Sequence, residues 1–405
     1  MNRMAKLPRM LGRQSRALRV TMLGIRGFPD VQGGAEKHAE KLALALAALG
    51  CEVEAITRSG YAPEKRAVWR SIRLKRLWAP RITGVEAFVH TFLGVLHAAA
   101  FDRPDILHIH AIGPALFTPL ARALGLRVVV THHVLNYENE KWGAGGRFLL
   151  RLGECAGMKF ANGRIAVSKG LAAQMAQAYR VPVVAIPNGI EKPQPATSAD
   201  TLQAFGLSPK CYFVSVARID EQKRQLDLIA AFARLKDPQW KLALVGGADY
   251  SGSYARAVAE AARDTPGVVM LGHQSGAALA ELYSHAGAFV LPSSHEGQPI
   301  AVLEAVSYGL PLLLSDIAAH RELDVPRARY FGVGDAARLA AHLEDVRSAP
   351  VETTAAADYG SLIARHDWRT IAQRTLAVYC DALSGTRRAA GLADDVAAGR
   401  IGEPS

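Results

Sequence analysis

Two carboxylates eight positions apart, Glu296 and Glu304, stand in the stretch "SSHEGQPIAVLEAVSYGLP". Glu296 follows the apolar run "AFVLP" and lies in a loop of glycine and proline. Glu304 lies on the apolar stretch after Pro299, which the spacing predicts to be a helix that stops near Gly309. A loop acid can reach into a cleft, and an acid in the first two turns of a helix is favoured by the helix dipole. Ionised carboxylates accept paired hydrogen bonds, and vicinal hydroxyls of a sugar or ribose are matched donors. Two acids at different depths could therefore hold two polyhydroxylated rings of one ligand. A helix-end acid beside a solvated glutamate is the plainer alternative, and a glycosidase-like acid pair is a third.

A second constellation is cationic. In "VSVARIDEQKRQLDLIAAF", Arg218 follows a strand and Lys223 comes five residues later, just before a helix. A helix N-terminus favours anions, and a planar guanidinium beside an ammonium makes a diphosphate clamp. A surface pair at a strand end would look the same. In the first half, "GIRGFPDVQGGAEKHAEKL" is a glycine-bearing loop that feeds a helix. It is not G-x-G-x-x-G and lacks a suitably placed acid for ribose, which argues against a dinucleotide. Gly33 and Gly34 would still let backbone approach a phosphate or a sugar.

The strand "VVVTHH" ends in His132 and His133. Neither H-x-x-x-H nor H-E-x-x-H occurs there, and D-x-D occurs nowhere in the chain, so no metal is expected. One histidine aimed into a cleft is the economical reading.

These residues need strand ends to carry them, and the chain supplies strands throughout. "RVTMLGI", "CEVEAIT", "DILHIHA", "LRVVVTHH", "GRIAVSK" and "VPVVAIPNG" read as strands of a first half. "CYFVSVA", "WKLALVGG", "GVVMLGH", "GAFVLPS", "LPLLLSD" and "ARYFGVG" read as strands of a second, with helices between them. Such alternation predicts two parallel sheets covered by helices. In open α/β sheets, ligands sit outside the carboxyl ends of the strands.

The expected divisions are a basic arm over 1–18, a first Rossmann-like domain over 19–190 and a second over 191–365. A helix over 366–385 returns to the first domain, and a tail of low apolar content covers 386–405.

The 405 residues are 50% apolar and 21% charged, enough for two cores and without a bilayer-spanning run. "HTFLGVLHAAAF" reads as a buried helix. No secretory signal is read, and the four scattered cysteines read as buried free thiols in a reducing compartment, which predicts a cytoplasmic protein. The net charge of +11 asks for an anionic partner. Cations interleaved with Trp69 and Trp78 over 58–81 suit an anionic membrane surface, and nucleic acid would rest on charge alone.

Together the motifs resemble the retaining family-4 glycosyltransferases of the GT-B fold, over roughly residues 19–380. The pattern Glu296…Glu304 is that family's most specific signature. "VARIDEQK", "AIPNGI" and "VVVTHH" are similar to its other segments, and "RGFPDVQGGAEKHAE", "HIHAIGPALF" and "HHVLNYENEKWG" look like bacterial surface-polysaccharide transferases. The resemblance implies two Rossmann-like doubly wound domains facing a cleft. It implies that Arg218 and Lys223 bind the diphosphate of a UDP- or GDP-sugar, Glu304 the ribose, and Glu296, with Gly297 beside it, the transferred sugar. Gly272, His273 and Gln274 would face the base, Gly33 and Gly34 would approach the donor from the other domain, and His132 would contact the sugar near the reacting carbon.

The implied reaction is metal-independent and needs no cofactor. It moves a sugar to a glycan acceptor, lipid-linked in exopolysaccharide, capsule or lipopolysaccharide synthesis, on the inner face of the cytoplasmic membrane. A nucleotide-sugar epimerase of the same fold and a non-catalytic donor-binding subunit are the alternatives. Three positions depart from the pattern: Ala217 and Arg224 replace glycines, and Gln298 replaces an apolar or aromatic residue.

Overall fold

The computed structural model describes residues 16–61, 67–80, 82, 84–134, 143–248, 252–348 and 359–385. Most of the basic arm and all of the expected tail lie outside them.

The first half is one sheet of eight strands: β1 (Arg19–Leu23), β2 (Glu52–Arg58), β3 (Val68–Trp69), β4 (Ile72–Leu77), β5 (Ile106–His110), β6 (Val128–His132), β7 (Gly163–Ala166) and β8 (Val184–Ala185). Their order is β3-β4-β2-β1-β5-β6-β7-β8, parallel except for the β3–β4 pair. The second half is a six-stranded parallel sheet of β9 (Tyr212–Val216), β10 (Lys241–Val245), β11 (Val268–Gly272), β12 (Ala288–Leu291), β13 (Leu312–Ser315) and β14 (Arg329–Phe331). Its order is β11-β10-β9-β12-β13-β14.

The central strands are buried along their whole length, as a sheet covered on both faces requires. In each sheet the order reverses beside the first strand, β1 or β9, the switch point at which open α/β sheets carry their ligand crevice. The loops after β1, β5, β6, β9, β10, β11 and β12 all open towards it.

The helix Trp368–Ser384 returns to the first core, where Ile371, Val378 and Tyr379 pack with Val20, Met22 and Val129. It is capped by Asp367, whose carboxylate accepts from the Thr370 amide at 2.9 Å.

Three sequence expectations are refined. In the stretch 58–81, Arg70, Arg73, Lys75 and Trp78 are exposed, as a basic face with an aromatic requires, but other members turn inward. Arg58 is buried and ion-paired to Glu86 at 3.2 Å, and Trp69 packs against Phe28 with ring centroids 5.8 Å apart. Residues 72–77 enter the sheet as β4, so their pleat sends alternate side chains inward. Residues 62–66 and 81 of that stretch lie outside the described residues.

The apolar segment 90–101 is likewise not simply buried. It forms the helix Val85–His97 and a following wide turn, and Phe92, Leu96 and Phe101 face solvent. The four cysteines are free thiols, but each is only partly buried.

Candidate active site between the two halves

A cleft of about 1810 Å³ runs between the sheets. Gly33, Gly34, Arg218, Lys223, His273, Gln274, Glu296, Gly297 and Glu304 line it, drawn from both halves. Gly272 closes β11 at their edge, with φ +64.

On the second half, β9 ends at Val216 and delivers Arg218 two residues later. A short 3-10 turn, Glu221–Lys223, is capped by Asp220 and presents Lys223. Lys223 Nζ meets Glu296 Oε1 at 2.5 Å, and Ser293 donates to the same oxygen at 2.7 Å. Burial pulls the Glu296 carboxyl upward, but Lys223, His320 and these hydrogen bonds outweigh it and hold the acid below its ordinary range. Glu296 is therefore an ionised group beside a cation, not a protonated acid.

Glu304 sits in the helix Ile300–Ser307, which ends at Gly309 with φ +69. It accepts from Tyr283 Oη at 3.1 Å and is ion-paired to Lys37 of the opposite half.

Arg224 takes a left-handed conformation, φ 50 and ψ 42, at the N-cap of the helix Gln225–Phe232. That backbone position suits glycine. Arg224 meets the local charge of Asp227 at 2.5 Å instead. Gln298, the third departure, is a tie: its side-chain oxygen accepts from the Asn188 amide at 2.5 Å and its carbonyl from Asn188 Nδ2 at 2.8 Å.

On the first half, Arg26 braces the glycine loop through Glu36 at 2.9 Å and through the Gln32 carbonyl. Gln32 then reaches across to Gly247, accepting from its amide at 3.2 Å and donating to its carbonyl at 3.3 Å. Burial pushes the Glu36 carboxyl up, yet Arg26 and the more distant Arg218 more than reverse this.

The strand-end histidine needs correction. His132 is wholly buried, with Nε2 3.3 Å from Glu154, beneath the helix Ala144–Phe160. Successive side chains of a strand point to opposite faces, so His133 is the residue that lines the cleft. It lies against His38 and His110, with ring centroids 4.9 and 5.5 Å away. Burial first, and then the neighbouring imidazoles, hold His133 well below its ordinary pKa. At neutral pH it is an uncharged hydrogen-bonding wall.

His38, His110, Lys37, Gln32, Tyr283 and Asn188 were not singled out from sequence. Asn188 joins three parts of the chain: it accepts from His38 at 2.8 Å, holds Gln298, and its carbonyl faces His366 Nδ1 at 2.7 Å. Its position at the chain's crossing between the halves was the available signal.

Two facing doubly wound parallel sheets, with a cleft between them lined by charged residues of both halves, have the GT-B architecture. The model of Glycosyltransferase Family 4 matches residues 32–192, and that of Glycosyl transferases group 1 matches residues 203–367. This chain belongs to the family-4 glycosyltransferases, retaining enzymes that use a nucleotide-sugar donor.

It is 28% identical over 392 residues to an alpha-maltose-1-phosphate synthase of Mycobacterium tuberculosis, covering 89% of this chain and 99% of that one. It is 34% identical over 172 residues to the GDP-mannose:cellobiosyl-diphosphopolyprenol alpha-mannosyltransferase of Xanthomonas campestris, 40% of this chain and 44% of that one. Among solved structures, sucrose-phosphate synthase from Thermosynechococcus elongatus superposes with TM-score 0.77 at 22% identity, over 91% of this chain and 100% of that one. Anabaena HepE in complex with UDP and glucose gives 0.72 at 18%, over 89% and 99%.

Proposed function

We propose that this enzyme moves a hexosyl group from a UDP- or GDP-sugar to a lipid-linked glycan in bacterial surface-polysaccharide synthesis. The observation that carries the reading is the contact of Lys223 with an ionised Glu296 across the cleft from a neutral His133. Charge grows on the leaving diphosphate as the glycosidic bond breaks. Arg218 and Lys223 stabilise it electrostatically. Glu296 orients the transferred sugar, Glu304 the ribose, and the backbone around Gly272, His273 and Gln274 lies towards the base. Neither glutamate acts as a nucleophile. The two halves exclude water, which limits hydrolysis of the donor.

The acceptor half of the reading is supported by one face of the first domain. On the helix Ala144–Phe160, Phe148, Leu149, Leu152 and Phe160 are exposed among Arg147, Arg151 and Lys159, also exposed. Glu154, the helix's only acid, is buried and accepts from Tyr179 at 2.7 Å. An apolar face bordered by cations suits the interface of an anionic bilayer. No helix among the described residues is long and apolar enough to cross one. The Xanthomonas relative's name also pairs a nucleotide-sugar with a diphosphopolyprenol acceptor.

The test is nucleotide release from a panel of UDP- and GDP-sugars, with and without bacterial lipid extract. Release stimulated by the extract, with label passing to the organic phase, is expected. Label that appears instead in a water-soluble sugar phosphate would support the synthase-like reading favoured by the full-length relative. Label that stays in an altered nucleotide-sugar would indicate epimerisation.

A further inference from the structure

Three histidines from three separate elements close on one point behind the cleft wall, with His133 on the cleft side. His38 comes from the helix Gly34–Ala48, His110 ends β5, and His133 follows β6. One ring nitrogen from each lies within 4.8 Å of the other two. His110 Nδ1 and His133 Nε2 are 3.2 Å apart. An ion bound tetrahedrally at about 2.0–2.1 Å holds neighbouring nitrogens roughly 3.3 Å apart, so this pair already spans one edge of such a site.

His38 supplies the orientation. Its Nδ1 meets the Asn188 side-chain oxygen at 2.8 Å, and an oxygen that holds one imidazole nitrogen commonly directs the other towards a metal. The remaining nitrogen of His110, Nε2, is buried without a hydrogen-bond partner among the described residues, an uncommon state for a buried polar atom.

We infer that His38, His110 and His133 form a site for a divalent transition ion of the zinc class, with its open position facing the cleft. Three imidazoles plus one open position are a common zinc arrangement. A loaded site turns His133 from a neutral hydrogen-bonding wall into a metal ligand and adds two positive charges opposite Glu296. Zinc therefore blocks transfer reversibly. The inhibition rests on the donor-site reading above; the binding itself does not.

The experiment uses the untagged full chain with cobalt chloride and zinc chloride, and reads the metal rather than the turnover. One equivalent of cobalt should give the visible ligand-field bands of a four-coordinate centre, and zinc should abolish them. His110→Ala and His38→Asn should each weaken cobalt binding at least tenfold while far-UV circular dichroism is unchanged. Glu54→Gln should not weaken it, which distinguishes the site from the second cluster of metal-competent side chains, Glu54, His97 and Asp102. Absence of the bands, their survival in both histidine variants, or their loss in Glu54→Gln would overturn the proposal. Should the histidine variants fail to fold, zinc-edge X-ray absorption on the wild-type chain decides it: three imidazole scatterers support the site, and a carboxylate-dominated shell overturns it.

Discussion

Lys37, from the helix Gly34–Ala48 of the first half, is ion-paired to Glu304, from the helix Ile300–Ser307 of the second. The acid assigned to the donor's ribose is thus held by a cation from the opposite wall. Burial lowers Lys37 to about 8, against the pull of Glu191. A ribose must compete with this lysine for the carboxylate. Replacing Lys37 with Met should lower the donor KM several-fold, and in the wild type that KM should fall as pH rises through 8. Initial rates across donor concentration and pH check both. A higher KM in the variant would mean that Lys37 itself binds the donor.

The halves also meet at a position that admits no side chain. A Cβ built on Gly297 would lie 1.6 Å from the His133 carbonyl oxygen. Gly297→Ala must therefore push the Glu296 loop away from the first half. A misplacement of about 1 Å can cost on the order of a hundredfold in rate. The variant should keep its circular dichroism and lose at least tenfold in kcat/KM.

His90 reports on acid stability. It is fully buried, and burial and then Arg58 lower it from 6.5 to about 4. The unfolded chain therefore binds the proton between pH 6.5 and 4 while the folded chain does not. Stability from this group is complete above pH 6.5 and is lost as pH falls to about 4. At about 1.4 kcal/mol per pH unit the loss is on the order of 3 kcal/mol. Urea titrations of wild type and His90→Gln at pH 7 and pH 4.5 measure it. The gap between the two pH values should narrow in the variant.

Much of the fold was legible because strand ends coincide with glycines and polar loops. "CYFVSVA" and "GAFVLPS" lie over β9 and β12 as observed, and the acids and cations of the second half follow them in short range. The first-half wall was not legible. Lys37 to Glu304, Gln32 to Gly247 and Gly297 to His133 are contacts between residues more than 160 positions apart, which local spacing does not encode. His132 and His133 were indistinguishable because the face each takes depends on the register at which β6 pairs with β5 and β7. Arg224 looked like a departure in sequence, and its left-handed backbone shows that the glycine-like geometry persists under a different side chain.

Lys223 has two roles to lose. Its replacement by Ala leaves the buried Glu296 without its cation and, on the proposed reading, removes a stabiliser of the leaving diphosphate. Turnover should fall on the order of a hundredfold or more, with a smaller change in affinity for the free nucleoside. EDTA should leave wild-type turnover intact if, as proposed, cationic side chains serve the diphosphate. Strict dependence on added manganese would contradict that assignment.

The most direct test is the steady-state comparison of Glu296→Gln with Glu304→Gln on the accepted donor. On the proposed reading Glu296 faces the sugar being transferred, where charge develops, so its loss should lower kcat more than it weakens nucleotide binding. The same reading assigns Glu304 to the ribose, so its loss should chiefly raise the donor KM. Reduced kcat in the first variant and raised KM in the second, with wild-type product retaining the donor's anomeric configuration, is the predicted result. An unchanged kcat in Glu296→Gln would contradict the account and return Glu296 to the status of an ordinary loop acid.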